Sequence, residues 1–370
     1  MTVLGGLGTD SVFKIRSCLG TSLSTFNFLG FLTGWLCLIM ISAAATRLMM
    51  RFRLLAIPNA RSSHTKAVPS SGGVGIYLTV LLGLGVFSFL HAESDFRSPI
   101  FFILIGGSVL AFGGFLDDIQ LASGFRAKLG FQILGSLVVL TGGIKFDSIY
   151  LPFFGVIEFG WAGYPFSLIW IITMTNVLNF MDGLDGIAGG CTAIAMTFLS
   201  IIFLSIGSVD LAIFSAIVTA SSLGFLFFNF PKARIFMGDC GSQFLGFLIG
   251  VTGILLAKTT NDGALWFVVP LLFAHFMFDT IYTFIRRWRR GENVTQGHRS
   301  HLYQLLNQLG YSHQFVSMVH FLFSFVVGIS ALFVLTLSVD LRMGIFVPVG
   351  IILFLYSVLV FRASDKSHRK

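Results

Sequence analysis

The chain has 370 residues, of which 55% are hydrophobic and 11% charged, and its formal net charge is +8. Soluble domains are about 45–50% apolar, so this composition and a mean hydropathy of +0.88 exclude an ordinary soluble α-helical protein. The four cysteines, at positions 18, 37, 191 and 240, show neither disulfide pairing nor metal-ligand spacing.

Apolar runs close to the ~20 residues that cross a bilayer recur along the chain. We therefore predict an all-α integral membrane protein with about eleven transmembrane helices, the first of them an uncleaved anchor. The predicted spans are 26–48, 72–91, 99–116, 129–144, 164–180, 187–206, 210–229, 243–258, 264–285, 314–338 and 343–361. They divide the chain into an N-terminal tail (1–25), a polytopic membrane domain (26–361) and a basic tail (362–370).

The segment "KFDSIYLPFFGVIEFGWAGYP" separates the fourth and fifth predicted spans. Its apolar and polar residues alternate on both sides of a proline-containing centre, which is typical of two short strands joined by a turn. We predict a small β-hairpin on the outer side of the membrane.

Lysine and arginine are distributed unequally between the two sets of alternate loops, with 18 in one set and 6 in the other. The positive-inside rule makes the richer set cytoplasmic. The N-terminus is then outside and the tail "RASDKSHRK" inside, where anionic lipid headgroups attract it. The positive charge therefore indicates topology, and nucleic acid is not a predicted partner.

Five aspartates from three distant stretches lie at predicted cytoplasmic ends of spans. Asp117 and Asp118 close the third span in "GGFLDDIQ". Asp182 and Asp185 close the fifth in "NVLNFMDGLDG", and Asp239 follows the seventh in "FMGDCGS". A lone aspartate would most simply cap a helix. Five carboxylates on one face, beside glycines and basic residues, instead indicate a site for Mg²⁺ and a diphosphate, because oxygen ligands hold this cation and cations offset phosphate charge.

Two basic loops lie on the same predicted face. "RSSHTKAVPSSGG" supplies Lys66, and "RRWRRGENVTQGHRSHLYQ" supplies His298 and His301. Zinc binding would need a Cys or acidic partner at zinc spacing, which is missing, so contact with phosphate or an orienting role is the simpler prediction for the histidines. We assign Arg286 and Arg287 to a positive-inside anchor.

The ordered motifs "FLDD", "KLGFQ", "NVLNFMDGLDG", "FMGDCGS" and "HRSHLYQ" together resemble those of the polyprenyl-phosphate N-acetylhexosamine-1-phosphate transferases, glycosyltransferase family 4. The resemblance runs from about residue 26 to about residue 310. It implies a Mg²⁺-dependent enzyme, with Mn²⁺ as the alternative ion, in a bacterial inner membrane. Such an enzyme transfers a sugar 1-phosphate from a UDP-N-acetylhexosamine to undecaprenyl phosphate and releases UMP. The resemblance leaves a monomer and a homodimer equally open.

The resemblance also implies roles for individual residues. Asp239 resembles the principal Mg²⁺ ligand, with Asp117, Asp118 and Asp182 as further candidate ligands. The implied catalytic residues are Asp117 and Asp118, which position or deprotonate the lipid phosphate, Lys128 beside the phosphates, and Asp239. The implied substrate-binding residues are Lys66, Asn176, Asn179, Asp182, Asp185, Asn229, Phe236, His298, Arg299 and His301, with Phe236 stacking on uracil.

Departures from the family's motifs narrow the expected substrate. The peptidoglycan enzyme typically carries a triple-histidine run and a TPTMGG stretch, where this chain has "HRSHLYQ" and "AVPSSGG". The motifs look more like those of transferases that begin lipopolysaccharide O-antigen chains. We therefore expect a donor carrying N-acetylglucosamine, N-acetylfucosamine or N-acetylquinovosamine. Direct attack by the lipid phosphate is the expected route, and an aspartyl-phosphate intermediate is the alternative.

Two other classes of membrane protein are compatible with part of this pattern. A flippase for polyprenyl-linked sugars also has many spans, but its charges should lie near the bilayer midplane. A CDP-alcohol phosphotransferase also has paired aspartates, but its motif carries an AR element that "DGLDGIAGG" lacks. The use of UDP-sugars or CDP-alcohols as donors distinguishes the two enzyme classes.

Overall fold

The structure is a computed structural model that describes residues 28–52, 54–56, 67–122, 124–260, 263–294 and 296–368. It is mostly helical, as predicted for an integral membrane protein. The helices are α1 (Phe28–Met49), α2 (Gly73–Leu90), α3 (Arg97–Asp118), α4 (Phe125–Thr141), α5 (Gly163–Met181), α6 (Ile187–Ser205), α7 (Val209–Asn229), α8 (Gly238–Lys258), α9 (Val268–Leu272), α10 (Ala274–Arg289), α11 (Leu302–Gln308), α12 (His313–Val334), α13 (Val339–Arg342) and α14 (Phe346–His368). Short 3-10 turns occupy Met50–Phe52, Gly160–Ala162 and Met343–Ile345.

Nine helical segments among the described residues are long and apolar enough to cross a membrane, so the chain is a multi-pass membrane protein. The count of eleven is not confirmed, because two of the predicted spans do not form helices that are long and apolar enough to cross a membrane. The segment predicted at 129–144 is α4, a helix of 17 residues. The segment predicted at 264–285 is interrupted at Phe273, where α9 ends and α10 begins.

The last predicted span also ends differently from the prediction. Helix α14 continues through Arg362 and Lys366 to His368. Most of the predicted basic tail is therefore helical.

Helix α8 lies at the centre of the bundle, and its whole membrane-length window is buried. Its sequence is apolar on every side, which is typical of a helix surrounded by protein rather than by solvent on one face. Helices α2, α3 and α5 pack against it. The residue that opens this helix therefore has neighbours on several other helices.

Glycines allow these helices to approach α8 closely. A Cβ atom added at Gly73 of α2 would overlap the backbone of Gly241 in α8, and one added at Gly114 of α3 would overlap the backbone of Asp239. On the α5 side, a Cβ at Gly246 would lie 2.6 Å from Thr175 Cα. Small residues at such contacts bring helix backbones together, which is how helices associate in a membrane.

Two small antiparallel sheets complete the fold. Strands β3 (Ser148–Leu151) and β4 (Gly155–Glu158) form the predicted hairpin, with Tyr150 opposite Val156. Strands β1 (Leu55–Ala56) and β2 (Val68–Pro69) form the second sheet. The chain after β2 then pairs with the segment before α8, because Phe236 N donates to Pro69 O at 2.8 Å and Gly73 N donates to Met237 O at 2.8 Å.

The Gly73–Gly241 contact predicts a stability difference between two glycines of the same helix. Gly73→Ala should destabilise the fold by about 1–3 kcal/mol, because its methyl group has no room against backbone atoms. Gly85→Ala in α2 is the matched control, since a Cβ there meets nothing within 4 Å. The melting temperatures of both variants in detergent provide the measurement, and equal values would contradict the contact.

Candidate functional site

The ends of three helices meet around Lys128 in the first turn of α4. Its Nζ lies 3.0 Å from Asp117 Oδ2, at the end of α3, and also contacts Asp239 Oδ2, at the start of α8. All three side chains are partly exposed, at 27%, 17% and 20%. One ammonium group thus joins two carboxylates that are 122 positions apart in the sequence.

Asp118, the neighbour of Asp117, faces the backbone of α8. Its carboxylate accepts hydrogen bonds from Asp239 N at 2.8 Å, from Cys240 N at 3.3 Å and from Ser71 Oγ at 3.0 Å. The first backbone N–H groups of a helix have no partner within the helix, and a negative charge there is also favoured by the helix dipole. Asp118 therefore caps α8 from another helix and fixes the backbone that carries Asp239.

The residue before Asp239 explains why the motif "FMGD" contains a glycine. Gly238 has φ +74°, a left-handed conformation that other residues rarely adopt. A Cβ atom at Gly238 would also overlap the Asp118 carboxylate. A glycine meets both requirements, so the start of α8 can lie close enough to Asp118 for the cap to form.

Helix α5 contributes polar side chains to the same place. Asn179 Nδ2 lies 3.2 Å from Asp239 Oδ1 and donates to Ser242 Oγ at 2.8 Å. Asp182 follows the last residue of α5. Burial, with the negative charges of Asp239 and Asp118, raises the pKa of the Asp182 carboxyl to about 8. Burial is the larger cause of this shift, and the two neighbouring carboxylates add to it.

The cluster opens into a cavity of about 900 Å³. Its lining includes Asp117, Lys128, Asn176, Asn179 and Phe180, and residues of the loop after α10 close its other side. Those loop residues are Asn293, Gln296 and Gly297. The cavity is large enough for a small-molecule ligand, and polar groups that can bind phosphate stand at its wall.

The second half of the acidic motif has a different environment. Asp185 Oδ1 lies 3.0 Å from His313 Nδ1 at the start of α12, and Asp185 Oδ2 accepts from Ala233 N at 3.1 Å. Asn229 accepts from Gly186 N at 2.7 Å and donates to Ile235 O at 2.9 Å. Both side chains hold the loop between α7 and α8, and that loop carries the half-buried Phe236. Their predicted contact with the nucleotide stays a prediction.

The histidine loop lies beside α5. His298 stacks on His301 with ring centroids 4.8 Å apart, and His301 stacks on Phe180 at 6.2 Å. Burial, followed by the nearby His301, Arg287 and Arg286, lowers the pKa of His298 to about 4. His298 is thus neutral at pH 7. His301 is 4% exposed, whereas His298 and Arg299 are half-buried, so the latter two are more accessible than His301.

Sequence reasoning missed two residues that hold this loop. Asp279 in α10 is 1% exposed, and it accepts from Leu302 N at 2.9 Å and contacts His301 Nδ1 at 3.1 Å. Arg287 is 5% exposed and donates to Glu292 at 2.8 Å and to Asn293 O at 2.8 Å. Arg287 therefore holds the loop, a structural role that the predicted positive-inside anchor did not include. An acid inside an apolar run was the available signal for Asp279.

The predicted residue Lys66 lies outside the described residues. The other predicted residues fall into three groups. The first surrounds Lys128 and contains Asp117, Asp118, Asn176, Asn179, Asp182 and Asp239. The second holds the loop before α8 and contains Asp185, Asn229 and Phe236, and the third is the histidine loop.

The residues around Lys128 fit a divalent cation in their charge and donor type. Asp117 and Asp239 contact Lys128, and the carboxyl groups of Asp118 and Asp182 lie near Asp239. Within the described part of the chain, no group of three or more His, Cys, Asp or Glu side chains could hold a metal by itself. Mg²⁺ is usually held by one or two carboxylates together with substrate phosphates and water. Asp117 and Asp239 match that pattern, whereas the carboxylate of Asp118 faces the backbone amides of α8.

The cap on α8 gives a prediction about stability. Asp118→Ala should lower the free energy of unfolding by about 1–2 kcal/mol, because two backbone N–H groups lose their acceptor. Asp147→Ala is the control, since it breaks ion pairs of a half-exposed carboxylate with Lys145 and Lys258, and such pairs contribute only about 0–1 kcal/mol. The melting temperatures of the two variants in detergent provide the measurement. A smaller loss for Asp118→Ala than for Asp147→Ala would contradict the cap.

Comparison with known proteins adds an independent line of evidence. The family model described as Glycosyl transferase family 4 matches residues 100–257. A probable undecaprenyl-phosphate N-acetylglucosaminyl 1-phosphate transferase of Bacillus subtilis is 31% identical over 329 residues, which are 88% of this chain and 89% of the relative. A decaprenyl-phosphate N-acetylglucosaminephosphotransferase of Mycobacterium leprae is 29% identical over 307 residues, covering 76% of this chain and 77% of the relative.

A phospho-N-acetylmuramoyl-pentapeptide-transferase of Listeria monocytogenes is 32% identical over 202 residues, covering 51% of this chain and 61% of the relative. The matched family region, 100–257, includes α3, α4, α5 and α8, and so contains every residue that meets around Lys128. Because the Bacillus subtilis relative is similar over nearly nine tenths of both chains, we conclude that this membrane protein belongs to glycosyl transferase family 4.

Proposed function

We propose that this protein transfers an N-acetylhexosamine 1-phosphate from a UDP-sugar to undecaprenyl phosphate and releases UMP. The observation that carries the proposal is the position of Lys128 between Asp117 and Asp239, where a polar cavity meets the ends of membrane-spanning helices. One substrate of this reaction is soluble in water and the other is anchored in lipid. A site at the boundary of the membrane is accessible to both.

The proposed chemistry is an exchange between two phosphates. An oxygen of the lipid phosphate attacks the phosphorus attached to the sugar. The bond between that phosphorus and the bridging oxygen breaks, and UMP leaves with the bond's electron pair. Both reactants are anions, so charge neutralisation and in-line placement are the main tasks of the protein. In this mechanism the Lys128 ammonium neutralises phosphate charge, and Asp117, which it contacts, accepts a proton that the lipid phosphate still carries.

Mg²⁺, or Mn²⁺ in its place, would be held by Asp239 and Asp117 and would offset the charge of the diphosphate. The residues of this chain have separate tasks around it. Asp118 fixes the start of α8 through the Asp239 and Cys240 amides. Asn179 donates to Asp239 Oδ1, whereas Lys128 contacts Asp239 Oδ2. These bonds keep Asp239 oriented before any substrate arrives.

The loop after α10 is the proposed wall for the sugar nucleotide. Asn293, Gln296 and Gly297 line the same cavity as Lys128, and buried Arg287 holds this loop through the Asn293 and Gln296 carbonyl groups. His298 and Arg299 follow in the same loop. Neutral His298 can accept or donate a hydrogen bond, and Arg299 supplies positive charge for phosphate.

The sugar is proposed to be N-acetylglucosamine or its 6-deoxy relatives, N-acetylfucosamine and N-acetylquinovosamine. Two of the relatives above are named for N-acetylglucosamine. The product, a polyprenyl-diphosphate sugar, would initiate an envelope glycan, and the loop motifs favour O antigen. We place the protein in a bacterial inner membrane with the Lys128 cluster on the cytoplasmic side, as the 18-to-6 distribution of lysine and arginine predicts.

The reaction is tested with purified protein, undecaprenyl phosphate, Mg²⁺ and UDP derivatives of the three sugars, by following UMP release and the mass of the lipid product. Wild type should form a polyprenyl-diphosphate sugar with at least one donor. Asp239→Asn should lower kcat by ~10²–10³-fold, because the cation that would offset the phosphate charge loses a carboxylate ligand. Asp147→Asn, in the carboxylate at the opposite end of the bundle, is the control. Transport of a preformed lipid-linked sugar without UMP release would support the flippase instead.

Two lysines provide a second test. Lys128→Met should lose ~10²–10³-fold in kcat, since its ammonium lies at the phosphates in this mechanism. Lys258→Met removes a lysine of the same size that pairs with Asp147 and should keep wild-type kcat. Rates are measured with the donor that wild type prefers. Comparable loss in both variants would contradict a specific role for Lys128.

A further inference from the structure

We infer that Gln243 and Gln132 are positioning residues for Asp239, acting through a chain of buried amide groups inside the membrane domain. The inference rests on the proposed function and extends it to residues that do not touch the phosphates. Gln243 is 1% exposed and Gln132 is 2% exposed. Polar groups at such depth are costly unless fully hydrogen-bonded, and in membrane proteins they mark functional positions.

The chain of hydrogen bonds crosses three helices. Gln243 Nε2 donates to Asp239 Oδ2 at 3.0 Å. Gln132 Nε2 of α4 donates to Gln243 Oε1 at 3.1 Å. Asn176 Nδ2 of α5 donates to Gln132 Oε1 at 2.8 Å. The chain thus joins the cavity wall, where Asn176 and Gln132 lie, to the carboxylate at the start of α8.

The charge of Asp239 dictates the direction of the two bonds that Gln243 makes in this chain. An ionised carboxylate can only accept hydrogen bonds, so Gln243 must present its NH₂ group to Asp239. The Gln243 carbonyl oxygen then faces Gln132 and needs a donor, which fixes the Gln132 amide in turn. Gln132 and Asn176 bond each other in both directions, since Gln132 Nε2 also lies 3.4 Å from Asn176 Oδ1. The bond from Gln132 to Gln243 polarises the Gln243 amide and strengthens its bond to the carboxylate.

The amides form a layer directly beneath the charged groups. Gln243 follows Asp239 by four residues in α8, and Gln132 follows Lys128 by four residues in α4. Residues four apart lie on the same face of a helix. The Gln132–Gln243 pair therefore lies one helical turn from the Lys128–Asp239 pair. The glutamine pair keeps the Asp239 oxygen directed at Lys128.

The inference predicts a defect in kcat rather than in binding. Gln243→Met keeps the side-chain length but removes the amide, and it should lower kcat by ~10–100-fold, as for other residues that orient ligating groups. The KM for the UDP-sugar should be unchanged. Gln132→Met should lower kcat less, because it acts through Gln243. In the Gln243→Met background, Gln132→Met should have no further effect on kcat.

Thr252→Val is the matched control in α8. It removes a buried hydroxyl that bonds only Leu248 O of the same helix, at 2.6 Å, three turns from Asp239. If wild type is active and Gln243→Met has the same kcat as Thr252→Val, the inference is overturned while the proposed function stands. Additive losses in the double variant would overturn the coupling through Gln243.

An experimental structure of Gln243→Met separates the inference from the proposed reaction. The Asp239 carboxylate should turn away from Lys128 when it loses the amide donor. If Asp239 stays on Lys128, the inference fails whatever the activity assay shows. If wild type forms no product with any donor, the proposed function fails, and the position of Asp239 in this variant still decides the inference.

Discussion

The capped start of α8 is the interaction on which the rest of the site depends. Asp118 holds the Asp239 and Cys240 amides from the end of α3, and this bond joins residues 121 positions apart. It combines hydrogen bonds to unpaired helix N–H groups with a favourable charge at the positive end of the helix dipole. Because α8 is buried along its length, its first turn cannot move without disturbing α2, α3 and α5.

Close packing and charge placement support each other here. Gly73 and Gly114 allow two helices to touch the first turns of α8, where a larger side chain would keep them apart. Asp118 can reach the α8 backbone because α3 lies so near. The same approach brings Asp117 within reach of Lys128 and Asp239. The two neighbouring aspartates therefore have different roles: Asp118 orients α8, and Asp117 faces the cavity.

This cluster contains more acidic than basic side chains, which favours the binding of a cation. Two of the four carboxyl groups, those of Asp117 and Asp239, contact the one lysine, and the raised pKa of Asp182 follows from burial and the neighbouring negative charges. Bound cations would neutralise the negative charge of such a cluster. A site of this kind is suited to chemistry between anions that a divalent ion and a lysine hold together. Family membership and geometry thus favour the same proposed reaction.

The sequence by itself determined the membrane character, the hairpin, the family and the gathering of acids at one end of the spans. These follow from local signals: apolar length, alternation, basic loops and motifs. Only the tertiary structure decided that Asp118 caps a helix, that Arg287 holds a loop, and that Gln132 and Gln243 form a chain to Asp239. Each of these depends on which helices cross and how closely. Residues far apart in sequence make those contacts, so no local pattern contains them. The interruption at Phe273 has the same origin, because the apolar run around it reads as continuous.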